Sequence, residues 1–365
     1  MSRDPLVRRE ESGVSSAEGR ATLAAIAASA GVSVATVSKV VNGRHDVGPA
    51  TRARVEILLK QHAYVARRAE PPDHGNRASG GSVELVFHGT LNAYGTEIIQ
   101  GVLGLATEVG VAVALSLRAG GQRATGADRP IAWARALAAA GRQAVIAVVN
   151  ELTTGDLNAL ARAKLPLVVI DPLNLPRARV TSVGSTNFAG GLAATQHLLA
   201  LGHRRIAYVG GPATAACNQA RGHGYRAAME TEAAPVLGGY VRSGRFMYED
   251  GVSEGLALLA LPVPPTAVFA GSDETAAGVL EAARSRGLRI PEDLSVVGFD
   301  DTQVARLVSP QLTTVRQPLR EMGSMALKTA LRLAAGEKLD SHHVELATQL
   351  VIRNSTAPPP VGQPC

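Results

Sequence analysis

Between Val83 and about Val351 the chain alternates short apolar runs with amphipathic stretches, and no other feature constrains the fold as much. The runs are Val83–Phe87, Val111–Leu117, Ala144–Val149, Leu167–Ile170, Ile206–Val209, Ala267–Ala270 and Ser295–Phe299. Runs of this length fit strands buried on both faces of a parallel sheet. Helical patterns fill the gaps at Glu97–Glu108, Ala189–Leu201, Asp273–Arg286 and Leu319–Ala335. Strand–helix alternation at this spacing predicts βαβ units and doubly wound parallel sheets. The stretch, about 270 residues, exceeds what one such sheet usually holds, so two α/β lobes with a cleft are expected. Aromatic residues are only 3% of the chain, so the cores must be built from Val, Leu, Ile and Ala.

The basic charge is not spread evenly. Residues 20–69 hold eight Arg and Lys against Asp46 and Glu56, a net +6 that equals the formal charge of the whole chain. A basic segment on a neutral body points to a polyanionic partner for that segment, although a solvated basic face would give the same count. Residues 66–82, ARRAEPPDHGNRASGGS, contain no Leu, Ile, Met or aromatic residue and read as a linker. These features predict a disordered arm over 1–20, an all-α unit over 21–65, a linker over 66–82, a two-lobed domain over 83–356 and a loose tail over 357–365. The lobes are expected at about 83–180 plus 317–345 and about 181–316 plus 346–356.

The all-α unit has three short helical patterns. The first runs from about Leu23 to Ser29, with Thr22 as N-cap and Leu23, Ile26, Ala27 and Ala30 at helical spacing. Gly31 ends it at a turn that requires positive φ. Ser33 caps the second helix, Val34–Val41, in which Val37, Val40 and Val41 face inward while Ala35, Thr36, Ser38 and Lys39 face out. The third follows Pro49, with Val55, Leu58 and Leu59 as its inner stripe and Tyr64 closing the unit. Three helices with a Gly turn between the first two describe a helix-turn-helix, whose second helix enters the DNA major groove. Small residues at its start let the backbone approach, and the methyls of Val34 and Thr36 suit thymine methyls. A generic three-helix bundle is the competing reading.

The stretch 22–64, TLAAIAASAGVSVATVSKVVNGRHDVGPATRARVEILLKQHAY, resembles the headpiece of the lactose-repressor (LacI/GalR) family. The resemblance implies that Val34 and Ala35 read operator bases. It also implies that Thr22, Ser33, Thr36, Ser38 and Asn42 grip phosphates, with Lys39 where the family usually has Arg or Lys.

In the two-lobed domain, ligands are expected in the cleft at the carboxyl ends of the strands. Polar residues there are candidates: Asp171 after LVVI, Ser272 and Asp273 after AVFAG, Asp300 and Asp301 after SVVGF, and Arg221, expected to open a helix. Carboxylates and Arg in a cleft suit the vicinal hydroxyls of a sugar. Asp after a strand is equally a common turn or cap residue. The runs NFAGGLAATQHLLALGHRRIAYVGGP, SDETAAG, SVVGFDD and LTTVRQP are similar to effector-domain motifs of the same family. By that resemblance Asp171, Arg221, Ser272, Asp300 and Gln317 fall on effector-contacting positions, and Tyr94, Phe246 and Tyr248 are candidates to stack on a pyranose ring. Ser272 departs from the Asn of galactoside-binding members, which implies another effector. The pattern is most similar to actinobacterial regulators of oligosaccharide use.

One region departs from the family pattern. The family has a short hinge helix after the headpiece, carrying a Leu that wedges into the minor groove. Counted from Tyr64, that position falls near Asp73, beside Pro71 and Pro72, and no Leu follows until Leu85. An apolar wedge is what unstacks and kinks DNA at such sites, so this chain is expected to bend its operator little. Arg67, Arg68 and Arg77 would instead track the phosphate backbone.

Other chemistries find little support. Gly210-Gly211-Pro212 lacks the ending of a phosphate loop, and neither GxSxG nor HExxH occurs. His342-His343 has no partners at metal-ligand spacing, so no metal and no cofactor are expected. Cys217 is read as packing and Trp133 as a buried helix residue. Two cysteines, one of them the last residue, make no disulfide framework and fit a reducing cytoplasm. No secretory signal and no membrane-spanning run is visible. The expected protein is a non-enzymatic, homodimeric transcription regulator of carbohydrate genes that binds operator DNA under control of a sugar or oligosaccharide. The alternatives are a transport sugar-binding protein and a sugar-modifying enzyme.

Overall fold

The computed structural model describes residues 23–41, 47–61, 81–88, 91–118, 129–148, 152–172 and 180–360. The chain divides into two compact units, Met1–Ala78 and Ser79–Cys365. Thr22, Asn42, Tyr64, Cys365 and the linker residues Arg67, Arg68, Pro71, Pro72, Asp73 and Arg77 lie outside the described residues.

The first unit holds helices α1 (Leu23–Ala30), α2 (Val34–Val41) and α3 (Pro49–Gln61). Their apolar positions converge on one core of Ile26, Ala27, Ala30, Val37, Val40 and Val55, with Leu58 and Leu59 packed against it. Gly31 takes φ +64°, and Val32 donates back to the Ala27 carbonyl at 3.1 Å. This is the left-handed stop that glycine permits at a helix end.

The second unit begins with β1 (Ser82–His88), α4 (Ala93–Val109), β2 (Val113–Arg118), α5 (Arg129–Ala139), β3 (Arg142–Val148), α6 (Thr154–Arg162), β4 (Leu167–Ile170) and β5 (Thr181–Ser185). It continues through α7 (Asn187–Ala200), β6 (Ile206–Gly210), α8 (Ala216–Thr231), β7 (Val241–Ser243), α9 (Tyr248–Leu259), β8 (Ala267–Ala270), α10 (Asp273–Ser285), β9 (Ser295–Asp300), α11 (Gln303–Leu307) and β10 (Thr313–Arg316). It ends with α12 (Leu319–Ala334), β11 (His343–Leu346) and β12 (Gln349–Val351). The strands form two six-stranded sheets, β11-β5-β4-β3-β1-β2 and β12-β10-β9-β8-β6-β7. All pairings are parallel except β10 with β12. Helices cover both faces of each sheet. In the first, Ile98 and Met322 of α4 and α12 pack one face, and Leu137 and Leu160 of α5 and α6 the other. In the second, α7 and α8 cover one face and α9 and α10 the other.

Three features differ from the sequence reading. The first lobe runs on through β5, so the chain crosses between lobes near residue 186 and not at 180. Ser182 and Gly184 hide β5 from an apolar-run search, yet the strand is buried throughout. Arg221 sits in the middle of α8 and does not open a helix. The start of the expected loose tail is tied down: the Ala357 carbonyl lies 2.9 Å from His203 Nε2 and accepts from Ser295 Oγ at 3.0 Å. Among the described residues no helix is long and apolar enough to cross a membrane.

Candidate functional site

In the helix-turn-helix unit, Ser33 caps α2 as the sequence predicts. Its Oγ accepts the Thr36 N–H at 3.1 Å and lies 2.9 Å from Thr36 Oγ1. The next residues divide by face. Val37 and Val40 are buried, whereas Val34 is 48% exposed and Ala35 and Lys39 are exposed. A valine this exposed at a helix start, next to an exposed alanine, is not part of the headpiece core. Ser38 and Thr36 are half-buried on the flank.

In the two-lobed unit a cavity of about 420 Å³ lies where the chain crosses between lobes. The first lobe contributes Asp171, Ser185, His343 and Glu345, and the second Asn187 and Cys217, among others. Of the sequence-predicted effector residues only Asp171 lines it directly. Tyr94 reaches it through Asp171, donating to Oδ2 at 2.8 Å. Arg221 and Gln317 sit one hydrogen bond behind the wall, and Asp300 two. Ser185 Oγ donates to Gln317 Oε1 at 2.5 Å, and Gln317 Nε2 donates to Asp300 Oδ1 at 2.6 Å. Arg221 donates from Nε to Asn187 Oδ1 at 2.7 Å and from Nη1 to the Gly271 carbonyl at 2.6 Å, with Asp300 Oδ1 at 3.8 Å. Its guanidinium also lies 3.8 Å from the Phe299 ring centre, close enough for cation–π attraction.

Asn187 is the polar residue that sequence reasoning missed. It opens α7 directly after the interlobe crossing, and in the sequence it heads the family-like run NFAGGLAATQHLLALGHRRIAYVGGP without having been singled out. Its bond to Arg221 depends on the close approach of α7 and α8. A Cβ on Gly191 would stand 2.3 Å from the Arg221 carbonyl oxygen, and one on Gly224 the same distance from that of Phe188. Each helix therefore presents a glycine where the other's backbone passes.

Burial governs the electrostatics. Desolvation raises the Asp171 carboxyl above its usual range, against the opposing pull of Arg221 and Tyr94. It raises Asp300 further, again opposed by Arg221. Burial pushes the Cys217 thiol up to about 11, so it stays protonated at neutral pH and is no nucleophile, although it lines the cavity and does not simply fill a core. Asp171, Asp300 and Asp301 take φ of +42°, +115° and +57°. Three carboxylates held at positive φ at strand ends are the kind of strain that collects at functional sites.

Other candidates have structural partners. Ser272 is the N-cap of α10, accepting the Thr275 N–H at 3.0 Å, and its hydroxyl lies 2.9 Å from the Phe246 carbonyl. Asp273 is buried and accepts from Thr302 N at 2.7 Å and Thr314 Oγ1 at 2.6 Å. Asp301 is paired with Arg316 and Arg353. Phe246, at φ +68°, lies against Gly211 and Gly271, whose missing side chains make room for its ring. Tyr248 is exposed at the start of α9. Trp133 is half-buried, 4.4 Å below the Arg118 guanidinium. One further bond spans the lobes: the Ala93 N–H at the start of α4 donates to Glu274 Oε1 of α10 at 2.9 Å. Among the described residues no group of His, Cys, Asp and Glu could hold a metal ion.

Residues 22–66 match the family model described as bacterial regulatory proteins, lacI family, and residues 195–356 match a periplasmic binding protein-like domain. The regulator CelR of Thermobifida fusca is 33% identical over 341 residues, covering 92% of this chain and 98% of that protein. A solved CelR–cellobiose complex is 31% identical with a TM-score of 0.69, covering 92% of this chain and all of that one. The lac repressor dimer bound to operator and an anti-inducer is 26% identical with a TM-score of 0.66, covering 93% of this chain and all of that one.

Proposed function

Because the chain belongs to the lacI family of bacterial regulatory proteins, we propose that it is a sequence-specific DNA-binding repressor of carbohydrate-use genes, controlled by a sugar or oligosaccharide held between its lobes. The observation that carries this reading is the division of α2: Val37 and Val40 hold the core while Val34 and Ala35 stand bare at the helix start. That is the face a helix-turn-helix lays against base edges. Val34 and Ala35 read bases, Ser33, Thr36 and Ser38 meet phosphates together with Thr22 and Asn42, and Lys39 reaches guanine or phosphate.

The protein works as a homodimer in the cytoplasm. One headpiece makes few contacts, and pairing two on a pseudo-palindromic operator multiplies affinity through effective concentration. The effector lies against Asp171 and Asn187, with Arg221, Asp300 and Gln317 holding those groups in place, Tyr94 orienting Asp171, and Ser272 fixing the start of α10. The relatives that bind operator DNA as a dimer or carry cellobiose support this assignment. Binding that favours one arrangement of the lobes changes affinity for DNA by the same factor as DNA changes affinity for the sugar.

Footprinting of the purified protein on the DNA upstream of its own gene tests the reading. A protected pseudo-palindrome is expected. Its affinity should fall on the order of a thousandfold between about 50 and 200 mM salt. Uniform, sequence-independent protection would contradict it. A transport binding protein would show no footprint, and an enzyme would consume the sugar it binds.

A further inference from the structure

Three neighbouring strands build the first-lobe wall of the cavity. β4 leads into Asp171, β5 supplies Gly184 and Ser185, and the edge strand β11 supplies His343 and Glu345. The register sets them in a row. Ile170 is level with Val183, Asp171 N donates to the Val183 carbonyl at 3.2 Å, and Glu345 is level with Gly184. Gly184 therefore lies between the two carboxylates, and a Cβ there would stand 3.2 Å from Asp171 Oδ1. Any other residue would place a side chain in that gap.

The span from β4 to β11 is two inter-strand spacings, about 10 Å. That is longer than one pyranose ring and matches two rings joined head to tail. The outer end of the row is shaped for polar contact. Period two puts His343 and Glu345 on one face of β11, while Leu346 packs on the core. His343 Nδ1 is held 2.6 Å from Ser182 Oγ, which turns Nε2 toward Glu345 Oε1 at 3.4 Å. The facing wall from α7 and α8 is made of Ala189, Ala216, Cys217 and Ala220, with the half-exposed ring of Phe188 beside them. An aromatic face and small apolar groups suit the C–H face of a sugar, and carboxylates suit its hydroxyls. Among the described lining residues there is no Lys or Arg. The cation behind the wall, Arg221, is turned to Asn187, Gly271 and Asp300, so two carboxyl groups face the ligand and disfavour a phosphorylated or acidic sugar.

We propose that the cavity takes a neutral glycoside of at least two rings, the inner ring against Asp171 and Asn187 and the outer ring against Phe188, His343 and Glu345. The inference rests on the reading of this cleft as the effector site. Calorimetry on the full chain tests it, using cellobiose, maltose, lactose and xylobiose, the monosaccharides that compose them, and glucose 6-phosphate. One disaccharide is expected to bind at least about tenfold more tightly than either of its monosaccharides. Glucose 6-phosphate should bind no better than glucose. Glu345→Ala and His343→Ala, both at exposed positions, should collapse the preference for two rings toward unity. A monosaccharide that binds as tightly as the best disaccharide, lost in Asp171→Asn but untouched by Glu345→Ala, overturns the outer site and leaves the cleft reading standing. Absence of binding by every sugar overturns both.

Discussion

The two units carry their functional side chains in opposite ways. On α2 the residues proposed to read DNA are bare, and the helix is held by other residues on its far face. In the two-lobed unit Arg221, Asp300 and Gln317 are at most 5% exposed and spend their hydrogen bonds on one another and on the backbone. A recognition helix works against a partner that arrives whole, so its base-reading side chains, Val34 and Ala35, stand at the surface beforehand. A cleft that couples ligand to lobe arrangement must link its groups to the elements that move. Substitutions at Val34 and Ala35 on the exposed start of α2 therefore test binding, whereas substitutions behind the cavity test binding and folding together.

The largest effect is expected at Arg221. Arg221→Ala leaves Asp300 buried without its cation and should cost about 3–5 kcal/mol of stability, measured by denaturant unfolding, and abolish the sugar response. Arg221→Lys keeps the charge yet cannot serve both Asn187 and Gly271, so it should recover stability only in part. Loss of the response with unchanged stability would break the contrast between the units. Asp273→Ala comes next, at about 2–4 kcal/mol, because it strands buried donors of Thr302 and Thr314. Ala35→Glu should act in the opposite sense. It should weaken operator binding by about 1–3 kcal/mol per half-site while shifting stability by no more than about 0.5 kcal/mol.

A smaller effect is expected from pH. Burial lowers His203 from 6.5 to about 4, and the neutral ring bridges Thr266 and Ala357. A depressed folded-state pKa contributes stability that is present above 6.5 and lost as pH falls toward 4. Asp273, raised by burial to about 7, opposes it: its contribution is present below 3.8 and lost as pH rises through 7. His203→Gln should thus flatten the loss of stability on the acid side, and an unchanged slope would remove His203 from the account. The least costly expectation concerns the linker, where no leucine wedge is available: a bend of the operator well below about 40° in a solution bending assay.

How much of this was legible in the sequence follows the same contrast. The helix-turn-helix could be read because its apolar positions keep helical spacing and Gly31 marks the turn. The continuous apolar strands could be read for the same reason. β5, β10 and β11 could not, because Ser182, Thr314 and His343 look like loop residues until their partners His343, Asp273 and Ser182 are in place. Asp171 was visible as a polar residue after an apolar strand. Asn187 heads a family-like run but by itself looks like the start of a helix, and Glu345 looks like a solvated edge. Their place at the cavity comes from sheet order and interlobe crossing, which one-dimensional patterning does not carry.

The central claim is that one molecule joins DNA reading to neutral-sugar sensing. The most direct test is fluorescence anisotropy of the full chain on its upstream DNA, titrated with and without the neutral disaccharides. Tight binding relieved by one disaccharide, with the relief lost in Arg221→Lys, is the predicted result. Tight binding that no sugar alters, by a protein that calorimetry shows to bind that sugar, would contradict the account, because ligand and DNA would then occupy uncoupled sites.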